Sequence, residues 1–183
     1  PRGELFEDAL FDVDVADGEY GLSRRYYIGN DPLPLWHGAE LSLKVDSLSV
    51  DSSKLYIKRI TEKGGYSVGG KYKDGWVSTD IISFGSFEVA VDTVAPALSP
   101  VREKAWMRNG RVVLAVSERE TSVKSFRGTI DGKFVLFSYS SKNRRMALDL
   151  RKENVVRGKH TLRLEVADAC GNMAVYEKNI DFR

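Results

Sequence analysis

The stretch FGSFEVAVDTVAPALSPV, residues 84–101, decides the fold because it joins two β-strand patterns. Phe87, Val89 and Val91 alternate with small or acidic residues. A period of two is typical of a strand with one buried face. Two prolines follow, and proline removes a backbone donor and holds the preceding residue extended. We therefore predict a half-buried strand that leads through a short, stiff joint into the edge strand of a second domain.

The same alternation recurs on both sides of this joint and predicts an all-β chain. Short alternating segments separated by turn residues are typical of a β-sandwich. Asp74-Gly75 and Asp131-Gly132 predict tight hairpins, since Asp-Gly accepts the positive φ values of such turns. The segments 66–72 and 133–139 are each predicted as one strand, and helix is predicted to be nearly absent. We predict two tandem immunoglobulin-like antiparallel β-sandwiches, residues 1–93 and 94–183.

The charge of the chain divides unevenly between these two halves. Residues 1–93 contain 10 Lys and Arg against 16 Asp and Glu, a net charge of −6, whereas residues 94–183 contain 18 against 10, a net charge of +8. Such asymmetry concerns partners rather than fold and favours a polyanionic partner for the second half. The chain begins at Pro1 without a methionine, which we interpret as a trimmed or mature form, or a fragment, of a longer protein.

The sequence contains no recognisable reaction centre. His37 and His160 are the two histidines, and neither lies in a zinc-ligand spacing such as His-Glu-x-x-His. The Gly-x-Ser-x-Gly elbow of serine hydrolases is also absent. Cys170 is the single cysteine and is interpreted as a small residue beside a turn. We predict no catalytic, cofactor or metal site, and a solvated or turn role for His160.

Two places are candidates for ligand binding. Arg144 and Arg145 belong to the largest concentration of positive charge, which also contains Lys142, Arg151, Lys152, Arg157 and Lys159. This set indicates either a solvated edge that discourages aggregation or a surface for an anionic glycan, peptidoglycan carboxylates or lipid phosphate. Nucleic acid is not expected, because no recognition helix or aromatic-basic motif accompanies the charges. Trp36 and His37 form the second candidate, since loop tryptophans and histidines are common at binding sites.

Three segments together resemble a known family. They are the joint Val91–Pro96, the hairpin Phe126–Gly132, and Gly158–Leu162 leading to Asp168-x-x-Gly171-Asn172. Weaker correspondences lie at Tyr27–Gly29, Pro34–His37 and Phe84–Phe87. The chain resembles the C-terminal pair of immunoglobulin-like domains of bacterial lysostaphin/LytM-type zinc endopeptidases, peptidase family M23.

The resemblance implies a function that is not catalytic. In that family the zinc ligands lie in a peptidase domain upstream of the sandwiches, and none of those motifs is present here. The resemblance therefore implies an accessory region, periplasmic, on the cell surface or secreted, that positions an upstream peptidoglycan-cleaving domain. We expect the chain to be a monomer. Two alternatives stay open. One is a freestanding carbohydrate-binding or adhesive module that stacks sugars on Trp36, Tyr26, Tyr27 and Trp76, and the other is an enzyme with a carboxylate site.

Overall fold

The computed structural model describes Leu5, residues 11–29 and residues 33–182. Its elements are almost all antiparallel strands, so the all-β prediction is confirmed. The chain divides into two compact units, residues 1–93 and 94–183. Among the described residues, no helix has the length and apolar character needed to cross a membrane.

The described residues of the first unit form eight strands in two sheets. The strands are β1 (Val13–Asp17), β2 (Arg24–Ile28), β3 (Pro34–Lys44), β4 (Leu55–Thr61), β5 (Gly64–Ser67), β6 (Lys71–Lys73), β7 (Trp76–Ser83) and β8 (Gly85–Val91). One sheet has the order β1-β2-β8-β4-β5 and the other has the order β3-β7-β6. A short 3-10 helix, Ser52–Lys54, precedes β4.

The core of the first unit lies between these two sheets. It contains Leu41 and Leu43 from β3, Val77 and Ile81 from β7, Leu55 and Ile57 from β4, and Phe87 and Val89 from β8. These side chains come from both sheets, and each fully buried one contributes about 1.5–3 kcal/mol relative to exposure. The alternation in the sequence thus identifies the core face of β8 correctly.

Strand β8 is nevertheless not half-buried, and that part of the prediction is wrong. Its second face carries Glu88 and Ala90, and both are fully buried. Residues 18–20 lie over this face, where the Glu19 amide donates to Glu88 Oε2 at 3.2 Å. Arg25 donates to the same oxygen at 2.8 Å. The opposite charge of Arg25 makes burial of this carboxylate tolerable, because a buried charge requires a hydrogen-bonded partner.

Residues 94–182 of the second unit also form eight strands in two sheets. The strands are β9 (Ala97–Pro100), β10 (Arg111–Ser117), β11 (Val123–Ile130), β12 (Lys133–Val135), β13 (Ser138–Ser140), β14 (Arg145–Asp149), β15 (Gly158–Asp168) and β16 (Met173–Phe182). The sheets have the orders β13-β14-β10-β9 and β12-β11-β15-β16, so β9 is an edge strand as predicted. A 3-10 helix, Glu103–Ala105, and one helical turn, α1 (Trp106–Asn109), connect β9 to β10.

The core of the second unit is formed by the inward residues of both sheets. Val112 and Leu114 of β10 and Leu148 of β14 meet Leu162 and Leu164 of β15, and all five are fully buried. Because inward residues alternate with outward ones, the outward face of β10 carries Arg111, Val113 and Ala115. This face forms the floor of the site described below.

Two predicted strands are each divided between two sheets. Segment 66–72 ends in one sheet as β5 and continues in the other as β6, with Gly69 and Gly70 between them. Gly70 has a φ of 146°, and a Cβ there would lie 2.7 Å from Val77, so only glycine fits this crossing. Segment 133–139 likewise crosses from β12 to β13 at Leu136 and Phe137. The hairpin predictions at Asp74-Gly75 and Asp131-Gly132 are confirmed, since all four residues have positive φ.

Candidate binding groove

The outward face of the sheet β13-β14-β10-β9 carries small side chains between charged ones. In register across the strands, Ser138 lies opposite Ala147, and Ala147 lies opposite Val113. On either side of this row, β10 carries Arg111 and β14 carries Arg145. Arg145 is the partner of Ala115, which is about 13 Å along β10 from Arg111 at the usual rise of a strand. The register therefore places an arginine on each side of a low floor.

A groove of about 460 Å³ lies at this position. It is lined by Val101, Arg102, Ala105, Trp106, Asn109, Arg111, Val113 and Arg145. Three of these residues are cationic and none is acidic. We call this feature the arginine groove and define it by Arg102, Arg111 and Arg145. A concave surface with one sign of charge concentrates ligands of the opposite sign.

The wall of the groove is anchored by a buried tryptophan. Trp106 is 3% exposed, its Nε1 donates to the Val101 carbonyl at 2.9 Å, and its ring meets that of Tyr176 edge-on. Glu103, one turn earlier, forms an ion pair with Lys178 of β16. The hydrogen bond to Glu103 raises the pKa of Lys178, and burial raises the pKa of Tyr176. These contacts fix residues 101–109 against the sandwich, so the groove is preformed.

Two arginines in this region have left-handed backbone geometry. Arg102 has φ 51° and ψ 42° and directly precedes the 3-10 helix. Arg144, at the end of the β13–β14 turn, also has φ 51°. Left-handed geometry costs about 1–2 kcal/mol for a residue with a Cβ and is usually filled by glycine. Each of these strained positions thus carries a positive charge, Arg102 in the lining of the groove and Arg144 next to it.

The guanidinium groups of the arginine groove have no intramolecular partners in the described part of the chain. Arg102, Arg111 and Arg145 make no side-chain hydrogen bond or ion pair within residues 11–29 and 33–182. Arg163, on the other sheet, is bonded instead to Glu165 at 2.8 Å and to Glu177 at 2.9 Å, which raises its pKa. The donors of the groove are therefore available to a ligand, and a guanidinium binds carboxylate or phosphate in a bidentate manner.

The residues selected from sequence divide between the two units. Arg145 lines the arginine groove, and Arg144 is exposed on the turn that precedes it. Sequence reasoning missed Arg102, Asn109 and Arg111, although the alternation of β10 already places Arg111 on the outward face. Arg102 and Asn109 could not be found this way, because they lie in the irregular connection between β9 and β10.

Trp36 and His37 belong to the first unit. They lie in an irregular part of β3, where the register shifts between Pro34 and Ala39. Gly38 has a φ of 85° there, and a Cβ on it would lie 2.9 Å from the Ile81 carbonyl. Both side chains are exposed, Trp36 by 63%, and their rings meet edge-on at 6.2 Å. The bulge thus presents two successive aromatic rings on the surface.

The four-residue aromatic platform considered for sugars is not assembled. Trp36 and Trp76 lie at opposite ends of the β3–β7 pair. Tyr26 and Tyr27 lie on β2 in the other sheet, and because successive residues of a strand face opposite ways, Tyr26 packs against the core while Tyr27 is exposed. These four rings therefore cannot stack on one ligand, and that part of the alternative is wrong.

His160 has the turn role that was predicted for it. Its Nδ1 bonds Asp131 Oδ2 at 2.7 Å, and its Nε2 bonds the Val156 carbonyl at 2.8 Å. Two acceptors favour the doubly protonated ring, and the bond to Asp131 contributes most to raising the pKa of His160. With both nitrogens engaged, His160 connects two turns and has no lone pair to offer a metal ion.

Residues 1–92 match the family description "Zu5-like domain". No curated protein matches the sequence. Among solved structures, fibronectin(III)-like modules of Clostridium thermocellum CbhA are similar, with a TM-score of 0.36 and 8% identity over 80% of this chain and 86% of that chain. The family match covers half of the 183 residues and falls on the first unit. The chain therefore belongs to the Zu5-like domain family.

Proposed function

We propose that the chain is a non-catalytic binding region of a bacterial cell-envelope protein, and that the arginine groove binds an anionic polymer of the cell wall. The observation that carries the proposal is the set of three unpartnered arginines around a preformed groove. Each charge-assisted hydrogen bond contributes about 1.5–3 kcal/mol when its donor is already in place. The net charge of +8 on residues 94–183 adds long-range attraction toward a polyanion.

Co-sedimentation with purified insoluble peptidoglycan tests this proposal. We expect the chain to pellet with the polymer and expect Arg111→Gln combined with Arg145→Gln to weaken retention by about tenfold or more. The matched control is Lys124→Gln combined with Arg127→Gln, which removes the same charge from exposed positions on β11 of the other sheet. Equal loss in both double variants indicates unspecific charge attraction, and unchanged retention in the groove variant refutes the proposal.

The finer proposal is that this region positions a peptidoglycan-cleaving zinc peptidase domain that precedes it in the full-length protein, in the periplasm or at the cell surface. It is supported by the resemblance of residues 84–183 to the accessory sandwiches of M23 endopeptidases. The gene sequence preceding Pro1 tests it directly, and we expect a peptidase domain with zinc-ligand motifs there. A preceding domain of another kind contradicts the peptidase role but leaves the binding role standing.

A further inference from the structure

A second cavity continues the arginine groove across the same sheet. It has a volume of about 560 Å³ and shares Arg111 with the groove. It is also lined by Asp149, Lys152 and Glu153, together with Ser138. The two cavities adjoin at Arg111. We call them together the trough, and we call its second part, defined by Asp149 and Glu153, the acidic end. Apart from the shared Arg111, the second cavity is lined by one cation, Lys152, and by the two carboxylates, whereas the arginine groove is lined by three cations and no acid.

The two carboxylates of the acidic end are held in place by backbone donors. Asp149 Oδ1 accepts from the amides of Arg151 at 3.1 Å and Lys152 at 3.3 Å. Glu153 Oε2 accepts from the amide of Leu136 at 3.0 Å. In the part of the chain that the structure describes, Asp149 Oδ2 and Glu153 Oε1 have no hydrogen-bond partner. Each carboxylate therefore keeps one oxygen that can accept a hydrogen bond from a ligand.

The two ends of the trough do not neutralise each other. Arg111 and Asp149 are partners in the strand register, yet they form no ion pair within residues 11–29 and 33–182. Lys152 is exposed, so its flexible ammonium lies at the rim. The neutral side chains of Asn109 and Ser138 also line the trough. These groups can donate to and accept from amides, as a peptide backbone requires.

We propose that the trough binds an extended zwitterionic peptide, with its carboxylate in the arginine groove and its ammonium group at the acidic end. The proposal rests on the function proposed above and narrows its ligand from any wall polyanion to a peptide segment of the wall. Arg145 of the groove and Asp149 of the acidic end are four residues apart on β14, about 13 Å at the usual rise of a strand. Three extended residues cover about 10 Å and the long arginine side chain covers the remainder, so a tripeptide with both termini free matches this span.

The test uses trialanine with free termini, N-acetylated trialanine and C-amidated trialanine, titrated into the isotope-labelled chain and followed by NMR. We expect the free peptide to bind at least about tenfold tighter than either blocked form, because each block removes one charge-assisted contact. The amide signals of Arg111 and Asp149 should shift together. Equal affinities for the free and acetylated peptides overturn the proposal, as does the absence of any shift at these two residues.

Single substitutions test which end of the trough binds each terminus of the peptide. Glu153→Gln keeps an acceptor for the Leu136 amide and should abolish the effect of acetylation, whereas Arg145→Gln should abolish the effect of amidation. Arg127→Gln, outside the trough, should change neither preference. If Glu153→Gln leaves the effect of acetylation intact, the ammonium group does not bind at the acidic end and the assignment fails.

Acetylation of the free amines of peptidoglycan distinguishes the zwitterionic ligand proposed here from the anionic polymer of the proposed function. Peptidoglycan with acetylated amines should be retained less well than untreated peptidoglycan. Retention that depends on Arg111 and Arg145 but not on acetylation overturns the zwitterionic ligand and leaves the anionic polymer standing. If substituting Arg111 and Arg145 leaves the retention on peptidoglycan unchanged, both proposals are overturned.

Discussion

The pairing of Glu88 with Arg25 gives the sharpest test of how the first unit is held together. Glu88 is fully buried and receives bonds from Arg25 Nε and the Glu19 amide, while its Oε1 has no hydrogen-bond partner among the described residues. The bond to Glu88 holds the pKa of Arg25 above its ordinary value. Removing one member of such a pair leaves the other buried and uncompensated. We therefore expect Glu88→Met to destabilise the first unit strongly.

The magnitude follows from the burial of the two partners. Breaking a buried ion pair costs about 3–5 kcal/mol, and because the Arg25 side chain keeps 23% exposure we expect the lower end, about 3 kcal/mol. Arg25→Met should cost about as much, since it strands the carboxylate of Glu88. The double variant removes both charges, and we expect it to lose no more than either single variant. The coupling energy is then about 3 kcal/mol.

Urea unfolding followed by tryptophan fluorescence measures these values. In a Trp106→Phe background, the remaining tryptophans are Trp36 and Trp76, and both belong to the first unit. The four proteins of the cycle should share one denaturant dependence, so that midpoints report stability. If the loss of stability in the double variant equals the sum of the losses in the two single variants, the coupling energy is zero. That result would refute the mutual dependence of Glu88 and Arg25.

Three further predictions concern the second unit. The hydrogen bond to Asp131 raises the pKa of His160 above the ordinary 6.5, so protonated His160 stabilises the fold fully below that pH, and this stabilisation is lost as the pH rises through the folded pKa. The melting temperature should therefore fall between about pH 5.5 and about pH 8.5, and it should fall less in Asp131→Asn. Arg144→Gly should raise stability by about 1 kcal/mol in denaturant titrations, because it removes a left-handed arginine; a loss would mean that its side chain has an essential contact. Gly128→Ala should lower the free energy of unfolding by about 2 kcal/mol, because a Cβ there would lie 2.3 Å from the Phe137 ring. Adding Phe137→Leu should restore part of this stability, and a Gly128→Ala variant as stable as the parent would contradict this packing.

Local sequence patterns predicted the strands and hairpins well, because their causes are local. The inward face of β8 follows from its period of two, and the Asp-Gly turns follow from the φ values that those residues accept. The buried state of Glu88 could not be predicted in this way. Its cover comes from residues 18–20, about 70 positions earlier in the chain, and no local pattern reports such a contact.

The crossings between sheets escaped prediction for a related reason. Val135 and Phe137 are both buried, so the alternation of residues 133–139 continues although the chain moves from β12 to β13. Gly128, which leaves room for Phe137, is informative only once the two are known to be neighbours. Sequence patterns identified only part of the arginine groove, because its residues are distant in sequence and become neighbours only in the fold. Arg145 belongs to a visible run of charge, whereas Arg102 is brought beside it by the connection around Trp106.

The two crossings have a consequence for how these sandwiches resist aggregation. Each of these links, residues 68–70 in the first unit and residues 136–137 in the second, continues a strand of one sheet directly into a strand of the other. Peeling one sheet from the other must therefore also strip backbone hydrogen bonds from both sheets at once. A partly opened sandwich, with its unpaired strand edges and apolar interior accessible to other chains, is the species from which fibrils and aggregates begin. The crossings raise the free energy of that species relative to the closed fold, so we expect each unit to open as a whole or not at all.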